Sequence, residues 1–90
     1  MSANFNKDPE AIENFTVDWT QALNGDTIAS STWSVPTGIT QAAASNTTTQ
    51  ATIKLSGGVL GASYAVVNRI TTTTSGETLD ETLNIYIVEQ

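Results

Sequence analysis

The longest alternating run of the chain, from Tyr64 to Thr73, constrains the fold more than any other stretch. It reads YAVVNRITTT and follows a Gly-Gly turn. With a period of two, Tyr64, Val66 and Ile70 share one face, while polar residues fill most of the other positions. This pattern predicts a central β-strand with one face in a core.

Tyr64 stands at the start of this strand, four residues after Leu60. A tyrosine at such a position is typical of the tyrosine corner of Greek-key sandwiches, where the ring is buried and the hydroxyl bonds to nearby backbone. A buried tyrosine that starts a strand without this geometry is the alternative interpretation. The sequence leaves both open.

Short alternating segments separated by turn signals fill most of the remaining chain. Asn24-Gly25 favours a tight turn, and Pro36 ends a strand because proline has no backbone donor. About six or seven short strands with such spacing indicate an all-β fold, an immunoglobulin-like antiparallel β-sandwich with a short N-terminal arm. The predicted core consists of Phe15, Val17, Trp19, Trp33, Val35, Ile53, Leu55, Tyr64, Val66, Ile70, Leu83, Ile85 and Ile87.

Two segments are harder to interpret, one as to which side chains face the core and the other as to its type of secondary structure. In the strand predicted at 27–35, alternation places Ala29 and Trp33 on the core side and Ile28 on the opposite side. The alanine-rich segment 39–45 favours helix by composition but is too short to form one alone. We interpret it as a short edge strand or a connection.

The first residues show little apolar periodicity, so residues 1–12 predict an N-terminal arm and residues 13–90 the sandwich domain. Asp8-Pro9-Glu10 has the order of a helix start, which predicts at most one helical turn. In an isolated chain we expect this arm to be frayed and to become ordered on binding.

The chain has 90 residues without cysteine or histidine, so thiolate and imidazole chemistry is excluded. Acidic residues group at 8–13 and 77–81, but neither group has the spacing of a calcium-binding loop. A domain of this size has no room for a sugar cleft around Asp18 and Asp26. We therefore predict no enzyme activity, no cofactor and no metal site.

Nine acidic and three basic residues give a net charge of -6. Such a charge repels phosphate backbones and anionic membrane surfaces, so neither nucleic acid nor a membrane is a predicted partner. No apolar run has the length of a membrane span, and the first residues do not read as a signal peptide. These features predict a protein made in the cytoplasm.

The outer face of the last two strands predicts a protein contact. If these strands pair as a hairpin, Val67 and Arg69 share a surface with Tyr86 and Val88. Tyrosine and arginine are enriched at interfaces, although tyrosine and valine are also ordinary strand formers. With the arm included, the candidate interaction residues are Asp8, Pro9, Glu10, Val67, Arg69, Tyr86 and Val88.

Three long segments, taken together and in this order, are distinctive. They read KDPEAIENFTVDW from Lys7, GDTIASSTWSVPTGIT from Gly25 and LSGGVLGASYAVVNRITTTTSGETLDETLNI from Leu55. In combination they resemble the phage fiber-tail adaptor proteins, a family of small virion proteins of tailed bacteriophages. The resemblance covers nearly the whole chain.

This resemblance implies a β-sandwich that joins tail fibers or a baseplate element to the tail, by binding and without catalysis. The implied location is the virion, with assembly after synthesis in the host cytoplasm. The implied partners are tail, baseplate or fiber proteins and copies of the chain itself around the tail axis. Two alternatives are an immunoglobulin-like host-surface or carbohydrate-binding module and a component of the head-tail neck.

Overall fold

The computed structural model describes residues 2–89 as seven strands and one short helix. Met1 and Gln90, the outer limits of the two predicted regions, lie outside the described residues. The elements are β1 (Ser2–Lys7), β2 (Glu13–Asp18), α1 (Thr20–Leu23), β3 (Ile28–Ser34), β4 (Ile39–Asn46), β5 (Gln50–Gly57), β6 (Ser63–Thr72) and β7 (Thr78–Ile87).

The strands form two sheets that enclose one core. Sheet A has the order β1-β7-β6-β3 and sheet B has the order β2-β5-β4. Neighbouring strands are antiparallel except for β1, which runs parallel to β7. The all-β prediction is therefore confirmed. In immunoglobulin domains one sheet contains the strand order C-F-G and the other contains B-E-D. The orders β3-β6-β7 and β2-β5-β4 correspond to these. The finer immunoglobulin-like assignment stays a prediction.

Alternating side chains of both sheets meet in the core, as the period of two requires. Of the predicted core residues, Trp33, Val35 and Tyr64 are half-buried and pack against its margin, and the other ten are buried. The buried hydrophobic residues are Phe15, Val17, Trp19, Leu23, Ile28, Ile39, Ala51, Ile53, Leu55, Val66, Ile70, Leu83, Ile85 and Ile87.

The predicted faces of Ile28 and Ala29 are wrong. Ile28 is buried and Ala29 is exposed, although Trp33 does point toward the core margin. The pairing of β3 with β6 shifts register between Ile28 and Ser30, which marks a β-bulge. An extra residue in a strand reverses the faces of the residues before it relative to those after it. Alternation in the sequence alone does not reveal such an insertion.

The segment predicted as a frayed arm contains β1, so that description is wrong for residues 2–7. β1 pairs with β7 along its whole length, from Ser2 opposite Thr82 to Lys7 opposite Ile87. The ring of Phe5 packs edge-on against Phe15, with 5.2 Å between the ring centroids. The alternation of Ala3, Phe5 and Lys7 with asparagines was the sequence signal for this strand.

Residues 8–11 form a β-turn in place of the predicted helical turn. The N–H of Ala11 donates to the carbonyl of Asp8 at 3.1 Å, and the N–H of Glu10 donates to Asp8 Oδ1 at 2.9 Å. The helix of the described residues is instead α1, where the N–H of Leu23 donates to the carbonyl of Trp19 at 2.8 Å. A single turn is stable here because it buries Leu23.

A buried amide, Asn68 of β6, connects the two sheets inside the core. Trp19, which follows β2 of sheet B, donates its indole N–H to Asn68 Oδ1 at 2.9 Å. Asn68 Nδ2 donates to Ser31 Oγ at 2.9 Å and to the carbonyl of Thr32 at 3.0 Å. Asn68 is 0% exposed and its amide is bonded on both sides, so a polar group sits in the core without an unpaired atom.

The two tryptophans, Trp19 buried and Trp33 half-buried, allow a test of this hydrogen bond. Trp19→Phe leaves the buried Asn68 oxygen without its donor, whereas no bond of the Trp33 indole is lost in Trp33→Phe. We expect Trp19→Phe to lower the free energy of unfolding by about 1 to 3 kcal/mol more than Trp33→Phe. Urea denaturation of both variants measures this difference, and equal losses would contradict the role of Asn68.

Asp26 holds the end of the sandwich where α1 lies. Its carboxylate accepts the backbone N–H groups of Thr27 at 2.8 Å, Thr74 at 3.0 Å and Ser75 at 3.0 Å, and also the Ser75 hydroxyl at 3.1 Å. These bonds, with the Ser75 N–H first, hold the pKa of the Asp26 carboxyl far below its ordinary value of 3.8. One side chain thus fixes the β6–β7 turn (73–77) against the segment that leads into β3.

Asp26 should therefore make stability depend on pH in the acid range. Because its pKa is lower in the folded state than in the unfolded state, its contribution is fully present above about pH 4 and is lost as the pH falls below that value. We expect Asp26→Asn to be less stable than the parent at neutral pH and to lose less further stability on acidification. Urea midpoints at neutral and acid pH test this, with Glu77→Gln as the control, since the Glu77 carboxylate accepts no hydrogen bond from residues 2–89. Parallel pH profiles of parent and Asp26→Asn would refute it.

Candidate protein-interaction surface

Three segments meet at the end of the sandwich opposite α1, and we name this surface the apolar end. It consists of the β1–β2 connection (8–12), the β5–β6 loop (58–62) and the residues after β7 (88–89). The N–H of Val88 donates to the carbonyl of Lys7 at 2.9 Å, and the N–H of Gly61 donates to the carbonyl of Ile87 at 3.0 Å. Backbone bonds therefore join the three segments through the ends of β1 and β7.

Lys7 ties the first of these segments to sheet B. Its side chain is 0% exposed, and Nζ donates to the carbonyls of Asp8 at 2.9 Å and Gly57 at 2.7 Å. Burial lowers the pKa of the Lys7 amine, while the charges of Glu13 and Asp8 act in the opposite direction. A buried lysine is costly unless it is bonded, so these two carbonyls fix where β1 ends relative to β5.

Tyr64 holds the β5–β6 loop from the other side. Its hydroxyl accepts the N–H of Val59 at 3.1 Å, five residues upstream. Gly38 makes room for the ring, because a Cβ built at this glycine would lie 2.9 Å from the Tyr64 hydroxyl oxygen. A tyrosine hydroxyl bonded to backbone a few residues upstream is the geometry of the tyrosine corner. Of the two interpretations that the sequence left open for Tyr64, the structure agrees with the one in which the hydroxyl bonds to nearby backbone.

The apolar end exposes large aliphatic side chains. Ile12 is 65% exposed, Val59 is 63% exposed and Leu60 is 55% exposed. Tyr86, in the row of sheet A next to this end, is 41% exposed. These four are the exposed large hydrophobic residues of the described chain. Their location at one end distinguishes them from apolar residues scattered singly over a surface.

Acidic residues accompany this apolar group. Asp8, Glu10, Glu13 and Glu89 belong to the same end of the sandwich. Lys7, the basic residue nearest to them in the chain, is buried and directs its amine at backbone carbonyls. The surface therefore combines exposed aliphatic side chains with negative charge.

Residues 7–86 match the family described as Podophage GP4 fiber-tail adaptor protein gp77. The chain belongs to this family. The resemblance seen in the sequence is thereby confirmed, and with it a structural role in a phage tail. No curated protein and no solved structure is significantly similar to the chain.

Five of the seven interaction residues predicted for this adaptor lie together. Asp8, Pro9 and Glu10 form the turn after β1, while Tyr86 and Val88 lie beside the end of β1. The structure thus brings the predicted arm residues and the end of the last strand to one surface. Their role in binding stays a prediction.

The other two predicted residues lie elsewhere on the outer face of sheet A. Val67 is opposite Thr82, and Arg69 is opposite Asp80. Arg69 is therefore six residues along the ladder from Tyr86, roughly 20 Å away. Its guanidinium binds the Asp80 carboxylate through two bonds of 2.8 and 3.0 Å. The expectation of one compact patch was wrong, because the faces of two strands do not specify their register.

The sequence reasoning missed Ile12, Val59 and Leu60. Each follows or precedes residues that read as a turn, so none had a place in an alternating strand. Exposed apolar residues in a turn are the signal that was available, since turns are ordinarily polar.

Two of the adaptor's carboxylates at the opposite end, those of Asp18 and Asp26, are bonded to its own chain. Asp18 accepts the N–H of Thr20 at 3.0 Å and the hydroxyl of the same residue, which lowers the pKa of the Asp18 carboxyl. Asp26 is occupied by the bonds described above. Within residues 2–89 no group of acidic side chains is arranged to hold a metal ion. Among the same residues no helix is long and apolar enough to cross a membrane.

Removing the Tyr64 hydroxyl should loosen the β5–β6 loop of this adaptor. Tyr64→Phe leaves the ring in place and deprives the Val59 N–H of its acceptor, so we expect a loss of about 1 kcal/mol in stability. Hydrogen exchange at Val59 should accelerate, while exchange in the middle of β6 should follow only the global change. Unchanged exchange at Val59 would show that this bond does not hold the loop.

Proposed function

We propose that this chain is a virion joint of a tailed phage, which links a fiber or baseplate element to the tail through its apolar end. The observation that carries the proposal is the gathering of Ile12, Val59 and Leu60, all more than half exposed, on one end of the sandwich. Membership of the fiber-tail adaptor family supports the structural role. The specific contact surface is our inference.

The side chains of the apolar end indicate the chemistry that its partner needs. Burial of exposed aliphatic side chains stabilises a complex by about 25 cal/mol per Å² of apolar area, before the costs of association. Acidic residues at 8, 10, 13 and 89 favour a partner with basic residues around an apolar recess. A tail or fiber protein with such a recess would be attracted to this end of a chain of net charge -6.

The apolar end is also organised before binding. Lys7 bonds hold the β1–β2 connection to the end of β5, and Tyr64 holds the β5–β6 loop. Less conformational entropy is lost when a partner meets loops that are already fixed. This rigidity suits a joint that must transmit load between two larger assemblies.

Binding without catalysis is part of the same proposal. The chain has neither histidine nor cysteine, and its two candidate catalytic carboxylates, Asp18 and Asp26, accept hydrogen bonds from their own chain. The carbohydrate-binding alternative requires aromatic residues on an exposed loop, and both tryptophans are instead buried or half-buried in the sandwich. We place the chain in the virion as several copies around the tail axis, where multiple contacts would add to one another.

The test removes the apolar side chains without disturbing the fold. Val59→Ser with Leu60→Ser changes two exposed side chains and keeps the backbone N–H of Val59 bonded to Tyr64. We expect unchanged folding and at least about a tenfold loss of incorporation into particles, because truncation at the centre of an interface costs about 1 to 2 kcal/mol per anchor. Mass spectrometry of purified particles from a complemented phage measures incorporation.

The control is Val67→Ser, which removes a valine from the outer face of sheet A, far from the apolar end. It should be incorporated normally. Normal incorporation of the Val59/Leu60 variant, or an equal loss in the control, would refute the apolar end as the contact. Deletion of residues 1–12 is not a suitable test, since it removes β1 and the buried Lys7.

A further inference from the structure

The two strands at one lateral side of the sandwich have no charged residue of their own, and the nearest charges are Lys54, opposite Ala43, and Arg69, opposite Thr32. β3 is an edge strand of sheet A and β4 is an edge strand of sheet B, and the two follow each other in the chain. The 27 residues from 27 to 53, which include both strands, contain no aspartate, glutamate, lysine or arginine. We name the side formed by β3 and β4 the neutral flank. In a chain of net charge -6, it is the side that a second acidic molecule can approach at least electrostatic cost.

β4 is open to pairing along its outer edge. All of its residues except Ile39 are exposed, and they are small or polar: Thr, Gln, Ala, Ser and Asn. Natural edge strands are usually protected by charges, proline or bulges. β4 has one bulge, between Gln41 and Ala43, and a regular stretch from Ala43 to Asn46. The edge strand of sheet B on the other side, β2, ends instead in the charged residues Glu13 and Asp18.

The neutral flank also contains an incompletely covered tryptophan. Trp33 is half-buried and lines a small cleft between the sheets together with Ser31, Ala44 and Asn46. Its indole N–H has no acceptor among residues 2–89, and no buried polar atom of these residues lacks a partner, so this N–H reaches solvent. An aromatic residue with one apolar side and a free donor is typical of protein interfaces.

We infer that the neutral flank binds a second copy of this chain, with the two β4 strands pairing in antiparallel orientation about a two-fold axis. Such a contact is self-complementary, because the same small uncharged side chains lie on both sides of the axis. Alanine and serine let two strands approach to the usual ladder spacing, and the paired edges extend sheet B across the dimer. The axis brings a second copy over the cleft that Trp33 lines.

A second copy fits better than a different strand-bearing partner because of charge. A different protein that recognises this acidic chain would use its own basic residues to do so. The neutral flank has no acidic residue that such basic residues could bind. A contact between identical acidic chains has the opposite requirement, since it must keep like charges apart. The inference rests on the proposed presence of several copies in the tail, which this two-fold contact would arrange in pairs.

The test measures self-association of the purified chain. A short strand contact is weak in solution, so we expect a monomer–dimer equilibrium between about 10 µM and 1 mM of chain. Sedimentation velocity measures this equilibrium. Ala43→Glu with Ala44→Glu should abolish the dimer, because the two-fold axis brings the new carboxylates of both copies together. The control, Ser63→Glu with Ala65→Glu, adds the same two charges to exposed positions of sheet A and should dimerise normally.

Charge exchange decides whether the occupant is a second copy. Ala44→Lys and Ala44→Glu, at a position opposite the uncharged Ile53, should each weaken self-association, and an equimolar mixture of the two should restore it. Amide exchange in β4 should slow as the concentration of the parent chain rises. A parent that stays monomeric at 1 mM, a dimer that survives the double glutamate change, or a mixture without rescue would each overturn the inference. Particle incorporation of the Val59/Leu60 variant is a separate readout, so failure here leaves the test of the apolar end intact.

Discussion

The hydrogen bond from Trp19 to Asn68 joins the two sheets inside the core, and the positions of the surrounding elements follow from it. Trp19 is held at the end of β2, and α1 begins immediately after it. The amide of Asn68 also holds the edge strand β3 through Ser31 and Thr32. Apolar packing alone allows sheets to slide, whereas a buried polar pair loses its partner if they move. A small domain with modest burial gains a defined alignment of its sheets in this way.

Each end of the sandwich is then fixed by one charged side chain that bonds to backbone. Asp26 accepts hydrogen bonds from backbone N–H groups at the end where α1 lies, and Lys7 donates hydrogen bonds to backbone carbonyls at the apolar end. These two residues turn loops into defined surfaces without any disulfide. Two surfaces of the sandwich contrast with each other, an acidic end with exposed aliphatic residues and a flank formed by the uncharged strands β3 and β4. For an adaptor, this separation allows one surface for a foreign partner and another for a copy of itself.

The alternation of apolar residues was sufficient to predict most of the fold. Ten buried core positions followed from period-two reading, because a strand can bury only every second side chain. A tyrosine corner was one of the two interpretations left open for Tyr64, and its hydroxyl does bond to upstream backbone. The predictions that were wrong failed for reasons that lie outside local alternation. The bulge at Ile28 reversed a face, and β1 was missed because its pairing depends on β7, which lies at the other end of the chain.

The sequence by itself determined the all-β class, the core faces of the central strands, the acidic charge and the family, since these follow from composition, local periodicity and residue order. Only the tertiary structure decided which surface residues lie together. It separated Arg69 from Tyr86 through the register of one hairpin, and it gathered Ile12, Val59 and Leu60 at one end. The reason is that register and loop proximity arise from pairings between residues distant in the chain, such as Lys7 with Gly57. Local patterns of alternation contain no information about those distances.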